Sequence, residues 1–229
     1  MTVVAALADN RNPQSLASRL RQKRFSVFLR LVSSLSRPIR ILDVGGTQEF
    51  WEVMGFGEEQ GVTVTLLNVY DQPTSLANFS SVRGDARAMI FEDGTFDIVF
   101  SNSVIEHVGE LEEQCKMAKE VQRVGKRYFV QTPSKYFPIE PHFLFPFFQF
   151  LPTTTKIWLL RHFDLGWHTK TEDFAKAREQ VEGVKLLSKR EFGEMFPKAT
   201  ILEEKFCGLT KSFTACYGWA ADSTGSKKG

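Results

Sequence analysis

A short strand-like run ending in paired glycines, Ile39-Arg40-Ile41-Leu42-Asp43-Val44-Gly45-Gly46-Thr47, constrains this chain more than any other stretch. Its apolar residues suit a buried strand, and glycines at its end let backbone amides approach a ligand closely. About fifty residues later, Phe96-Asp97-Ile98-Val99-Phe100-Ser101-Asn102-Ser103-Val104-Ile105-Glu106-His107-Val108 repeats the pattern of a buried strand followed by polar residues. Two such units point to a nucleotide-like cofactor held at the carboxyl ends of parallel strands.

Further apolar runs at 62–69, 98–101 and 128–131 are short and rich in β-branched or aromatic residues. Helical stretches between them, notably 111–123, predict an α/β fold with a doubly wound, mostly parallel sheet. Before the first strand, residues 15–35 space Leu16, Leu20, Phe25, Phe28, Leu29 and Leu31 at close to a helical period, with the basic residues between them forming a solvated face. Toward the C-terminus, Ser188 and Glu191 form a capping box, Phe196-Pro197 ends that helix, and 200–204 and 212–219 read as strands joined by a tight turn at Gly208. At 229 residues the chain is read as one domain over 1–220, with an aromatic-rich insertion at 136–187 after the fifth strand and a disordered tail at 221–229.

Composition narrows the function. A net charge of +2 gives no nucleic-acid footprint. Cys115, Cys207 and Cys216 are widely spaced, without histidines at ligand spacing, so neither a disulfide framework nor a metal site is expected. No basic segment precedes an apolar leader, and the expected location is cytoplasmic. The Phe-rich stretch 136–152 is too proline-broken and too short for a bilayer, which takes about 20 apolar residues, although peripheral membrane contact stays open. That stretch reads either as a lid or acceptor pocket, or as packing onto the main core.

Among groups able to carry chemistry, Asp43 sits where its carboxylate meets an ammonium group or a turn amide, and Asn68 ends the second strand where a nucleoside binder supplies a ribose ligand, with Asp71 as the fallback. Asp85 follows a third strand, within reach of an adenine amine. His107 opens the helix after the fourth strand and is a general base or a structural hydrogen bonder. Glu140 and His142 flank Pro141 in the insertion and form the second acid–base pair. Hydrolase, kinase and zinc-protease motifs are absent from the sequence.

The series Ile41-Leu42-Asp43-Val44-Gly45-Gly46, Gly84-Asp85-Ala86, Phe91-Glu92-Asp93-Gly94-Thr95-Phe96-Asp97 and Ser101-Asn102-Ser103-Val104-Ile105-Glu106-His107 resembles class I S-adenosylmethionine-dependent methyltransferases in order and spacing over residues 38–131. The small-molecule branch that includes ubiquinone and menaquinone biosynthesis enzymes is the most similar. The resemblance implies a seven-stranded, Rossmann-like sheet whose last strand is antiparallel, and S-adenosyl-L-methionine as cofactor. It puts Asp43, Gly45 and Gly46 beside the methionine part, Asp85 and Ala86 beside adenine, and Asn102 against the pocket from the fourth strand. Two positions depart from the family: Thr47 stands where a further glycine is usual, and Asn68 where the ribose ligand is acidic.

On this reading the chain transfers methyl to a small-molecule acceptor with an apolar or ring component, His107, Glu140 and His142 being the catalytic candidates. The alternative is a non-catalytic module of the same fold that binds a protein partner through the Phe-rich segment. A nicotinamide oxidoreductase fits less well, because the glycine turn lacks Gly-x-Gly-x-x-Gly.

Overall fold

Residues 14–219 are described by the computed structural model; the expected tail at 221–229 lies outside the described residues. Ser15 caps the first helix, α1 (Leu16–Ser33), its hydroxyl accepting from the Ser18 amide. Then follow β1 (Ile39–Val44), α2 (Gln48–Val53), β2 (Val62–Asn68), β3 (Phe79–Arg83), β4 (Ile98–Asn102), α3 (Leu111–Val124) and β5 (Tyr128–Pro133). The insertion contributes β6 (Ile139–Glu140), β7 (Phe145–Pro146), α4 (Thr153–His162) and α5 (Phe174–Glu182). The chain closes with α6 (Lys189–Met195), β8 (Thr200–Phe206) and β9 (Leu209–Tyr217).

The main sheet runs β3-β2-β1-β4-β5-β9-β8. Its first five strands pair in parallel, and β9 is antiparallel to both β5 and β8. The seven strands and their antiparallel last member are as expected. Chain order reverses direction between β1 and β4, which opens a crevice at their carboxyl ends. Successive side chains point to opposite faces. Ile41, Phe100 and Phe129 therefore meet Phe25, Phe28 and Trp51 from α1 and α2. Leu42, Val99 and Val130 meet Met117 and Val121 of α3, Phe192 of α6 and Phe196 just past its end.

The C-terminal signals form as read. The Glu191 carboxylate accepts from the Ser188 amide at 2.8 Å while the Glu191 amide donates back to the Ser188 hydroxyl at 3.2 Å. Cys207 and Gly208 both take positive φ (50° and 80°), as a two-residue hairpin turn requires.

Three local expectations fail. Helices do not separate every pair of parallel strands: among the described residues, 69–78 and 84–97 are turns and loops. The first of these links is shorter than the dozen or so residues a crossover helix usually takes. Gln48 of α2 satisfies its backbone instead, accepting from the Ser75 and Leu76 amides at 2.8 and 3.3 Å. In the second, the Arg123 guanidinium donates to the Met89 and Phe91 carbonyls. Nor does Glu106-His107 open α3. These residues lie in a separate 3-10 turn (Ile105–His107), cut off from the helix by Gly109, whose φ is 112°. Finally, the basic side of α1 is not wholly solvated, since Arg24 is largely buried and ion-paired to Glu204 at 3.0 Å.

The insertion packs on itself. Phe143, Phe148, Ile157, Leu160, Leu165, Ala177 and Val181 form a third hydrophobic cluster, separate from the two that clothe the sheet. Its two ends lie side by side: Ser134 and Leu187 form a parallel bridge, and the Lys135 amide donates to the Leu187 carbonyl. Phe148 is buried against Phe143, ring centroids 4.2 Å apart, whereas neighbouring Phe147 is exposed. Phe148→Ser is therefore expected to destabilise the cap by about 3 kcal/mol and Phe147→Ser by less than about 0.5 kcal/mol, measured by denaturant unfolding.

Candidate active site

Alternation along β1 turns Asp43 toward the aromatic face, where its carboxylate is buried beneath Trp51. The indole N–H donates to Asp43 Oδ2 at 2.7 Å, while Oδ1 has no partner. Burial pushes the Asp43 carboxyl up to about 7, and the Trp51 bond offsets only part of that. Together with Gly45, Gly46, Thr47, Arg21, Phe50, Phe100 and Asn102, Asp43 lines a cleft of about 130 Å³ at the β1/β4 switch point. Neither glycine has room for a side chain. A Cβ at Gly46 falls 1.7 Å from Asp43 Oδ2, and one at Gly45, whose φ is 80°, falls 2.5 Å from Val104. Thr47, extended at φ −132°, is the N-cap of α2 and accepts from the Phe50 amide.

Asn68 lies beside this turn. Its amide N–H₂ donates to the Gly46 carbonyl at 2.9 Å, tying the end of β2 to the glycine turn. Asp71 and Glu49 are both exposed, away from the lining of the cleft. Asp85 forms bonds of 2.7–3.0 Å with the Arg87 guanidinium, which, with the Arg87 amide, hold its carboxyl below the usual range. Neither Asp85 nor Ala86 lines the cleft, and Ala86 packs on the edge of the core. Asn102 does line it, and its Oδ1 accepts from Arg24 at 3.1 Å.

Arg21 lines the cleft and Arg24 bonds Asn102 at its edge, so neither lies on the solvated face expected for the basic side of α1. They sit one turn apart on α1, beside the stripe formed by Phe25 and Phe28. That adjacency to a buried stripe was the legible signal. Arg21 has no ion-pair or hydrogen-bond partner among the described residues and lies 6.0 Å above the Phe50 ring. Burial lowers the pKa of both, and for Arg24 the Glu204 and Glu106 carboxylates push back.

The three catalytic candidates come together at the ends of β4 and β5. Ser103, at φ 58° and bonded through its hydroxyl to Gln131, turns the chain so that the 3-10 segment crosses the sheet end. This buries Glu106 completely: Oε2 accepts from the Thr132 hydroxyl at 3.0 Å, and Oε1 has no partner. Burial pushes the Glu106 carboxyl up to about 7. The His107 ring stands at 90° to that of His142, centroids 4.8 Å apart. In the cap, Glu140 Oε1 is 2.6 Å from His142 Nδ1, and Oε2 accepts from the His142 and Phe143 amides. The environments of the two imidazoles differ. Desolvation and the adjacent His142 lower the pKa of His107, although the residue as a whole is exposed. Desolvation also acts on His142, but the bond and charge of Glu140 prevail and raise it.

Glu140 also borders a second cavity, of about 280 Å³, between the cap and α3. Phe143, Phe148 and Leu187 give it apolar wall, and Gln114, Lys135, Lys156 and Lys185 give it polar wall. The remaining histidines lie to the side: His168 stacks on Phe143, and His162 stacks on Trp158 at the exposed surface. Among the described residues no helix is long and apolar enough to cross a membrane.

Comparison with known proteins agrees with this architecture. Residues 42–128 match the family model described as "Methyltransferase domain". A stretch of 67 residues, 29% of this chain, is 36% identical to the uncharacterised protein Rv1509 of Mycobacterium tuberculosis, of which it covers only 22%. The PH0226 protein of Pyrococcus horikoshii superposes with a TM-score of 0.53 at 18% identity, over 91% of this chain and 93% of that one. The protein bound to the Trm112 methyltransferase activator of Haloferax volcanii gives 0.53 at 11% identity, over 96% and 99%. At such identities the structural likeness is one of fold. Strand order and the matched stretch together identify residues 42–128 as a methyltransferase domain within a Rossmann-like, seven-stranded fold.

Proposed function

We propose that the protein transfers a methyl group from S-adenosylmethionine to an oxygen or nitrogen of a small-molecule acceptor. One observation carries the reading: a fully buried carboxylate, Asp43, keeps an unpartnered oxygen at a cleft whose glycine floor admits no side chain. A buried acceptor without a donor is costly unless a ligand supplies one. The amino-acid end of the cofactor fits that demand, its ammonium meeting Asp43 and its carboxylate the free guanidinium of Arg21. At about 130 Å³ the cleft takes this end and not the whole nucleoside. The nucleoside extends toward Asn68, whose Oδ1 is left for a ribose hydroxyl, and toward Asp85 and Ala86. Bound S-adenosylmethionine supplies a methyl group activated on a sulfonium.

In-line methyl transfer depends chiefly on alignment. The cap cavity holds the acceptor, with any ring or apolar part against Phe143 and Phe148 and polar substituents toward the lysines and glutamines. The Glu140–His142 pair has the form of an oriented base, an imidazole fixed by a carboxylate, and takes the proton from the acceptor atom. His107 stays neutral beside it.

Calorimetric titration with S-adenosylmethionine and S-adenosylhomocysteine tests the reading. Micromolar binding by the wild-type protein is expected, and no detectable binding of either ligand overturns it. That outcome favours the second reading, a non-catalytic partner-binding module, whose motivating feature is the exposed cap surface with Phe147, Phe150, Trp158, Phe163 and Trp167. The Haloferax volcanii neighbour, bound to an activator protein, is a precedent for such docking on this fold alone.

A further inference from the structure

We propose that Glu106, His107 and His142 form a binding site for a divalent first-row transition-metal ion. One ligand atom from each lies within 4.8 Å of the others, although His142 comes from the cap and the other two from the end of β4. Tetrahedral ligands about 2.1 Å from zinc are about 3.4 Å apart, so closing the set asks each side chain for a shift on the order of an ångström.

Three observations distinguish the cluster from a chance meeting of polar groups. First, Glu106 is wholly buried and its Oε1 has no hydrogen-bond partner, while a carboxyl oxygen of this residue lies within 4.8 Å of the two imidazoles. Second, the His142 imidazole is anchored from outside. His142 spends Nδ1 on the Glu140 carboxylate, leaving Nε2 as the remaining donor atom. A carboxylate or carbonyl on the outer nitrogen is how metal-bound histidines are oriented and made more basic. Third, Glu106 Oε2 is fixed by the Thr132 hydroxyl, so the free oxygen has a defined direction.

Two imidazoles and one carboxylate suit zinc, iron(II), cobalt(II) or manganese(II) better than a hard ion such as calcium, which prefers an all-oxygen shell. Three protein ligands leave at least one coordination position open. Glu140 both orients His142 and borders the cap cavity, so that open position lies next to the proposed acceptor site. With the ion bound, His142 Nε2 is a ligand and no longer a base, and an acceptor hydroxyl or water at the open position loses its proton more readily through the ion instead. Binding of the ion itself does not depend on the methyl-transfer reading.

The test is metal content and spectroscopy on the full chain. After chelator treatment and dialysis, cobalt(II) is titrated into wild type, Glu106→Gln, His142→Ala and Asp43→Asn, following visible absorption, with melting temperature and far-ultraviolet circular dichroism as checks of folding. Wild type and Asp43→Asn are expected to bind one equivalent with the d–d bands of a nitrogen–oxygen site, and zinc is expected to compete for it. Glu106→Gln and His142→Ala are expected to bind at least tenfold more weakly while keeping S-adenosylhomocysteine binding. No cobalt band and no stabilisation by zinc or manganese in wild type would overturn the proposal, as would unchanged affinity in both variants or thiolate charge-transfer bands that assign the metal to a cysteine. Should a variant fail to fold, stoichiometry and ligand-field bands of the wild-type protein decide the matter alone.

Discussion

Replacing Asp43 with asparagine is expected to make the ligand-free protein more stable at neutral pH and cofactor binding weaker, two effects of opposite sign from one atom. In the folded chain the carboxyl is held up to about 7 by burial, against an ordinary value of 3.8. Between those values the folded state keeps a proton that the unfolded chain has already released. Stability conferred by this group is therefore full below about pH 4 and falls as pH rises, until about 4 kcal/mol has been lost above pH 7. An asparagine still accepts from the Trp51 N–H and has no charge to bury, so Asp43→Asn removes that slope. Glu106, raised for the same reason, keeps its own slope in both proteins. Denaturant unfolding at pH 5 and pH 8 measures the difference: the loss of stability between them is expected to shrink by about 3 kcal/mol in the variant. Cofactor binding reads the other way. An ammonium group at the free oxygen favours the ionised carboxyl, so wild-type affinity rises from pH 6 to pH 8 with release of a proton. Asp43→Asn abolishes that dependence and weakens binding at least tenfold, in line with the roughly 1.5–3 kcal/mol of a charge-assisted hydrogen bond. An equal pH slope in both proteins would overturn the assignment.

Gly46→Ala is the second large effect. The added methyl falls 1.7 Å from Asp43 Oδ2 and 2.3 Å from its Cγ, far inside contact distance. The carboxylate cannot step aside without breaking its 2.7 Å bond from Trp51, and the turn cannot lift without breaking the bond from Asn68 to the Gly46 carbonyl. A loss of about a thousandfold in S-adenosylhomocysteine affinity, or about 4 kcal/mol of stability, is expected from calorimetry and unfolding. Gly193→Ala is the control. It lies inside α6 with nothing within 4 Å of the new methyl, and is expected to stabilise by about 0.5–1 kcal/mol. Equal tolerance at both positions would show that the floor of the cleft yields.

Why some of this was legible in sequence and some was not follows from range. The strands expected at 39–44, 98–101 and 128–131 are readable because apolar, β-branched or aromatic residues dominate each short run, and the capping box at Ser188 because both halves of it lie within one turn of chain. The placement of Asp43, Gly45 and Gly46 at the switch point follows from a strand meeting a turn. Links without helices are not legible in sequence, because side chains from elsewhere, Gln48 and Arg123, satisfy their backbone. Arg21 and Arg24 were assigned to solvent because helical period alone does not say which flank of an apolar stripe a neighbouring element covers. Asn68 was read as a deficient ribose ligand; its bond to the Gly46 carbonyl gives it a structural duty that no local pattern announces. Convergence of Glu106 and His107 with His142 depends on the cap folding back across the end of β4. Proline-broken aromatic sequence has no period from which to foresee that.

The cap leaves and rejoins the sheet at one place, where Ser134 pairs with Leu187, and has its own apolar interior. A segment so joined can be lengthened, shortened or exchanged as a unit while the parallel strands keep their order. On the proposed function, choice of acceptor can then diversify among descendants on a timescale of its own, while the half of the molecule proposed to hold the common methyl donor is held fixed. Chimeras that exchange residues 135–186 between relatives follow the same route in the laboratory.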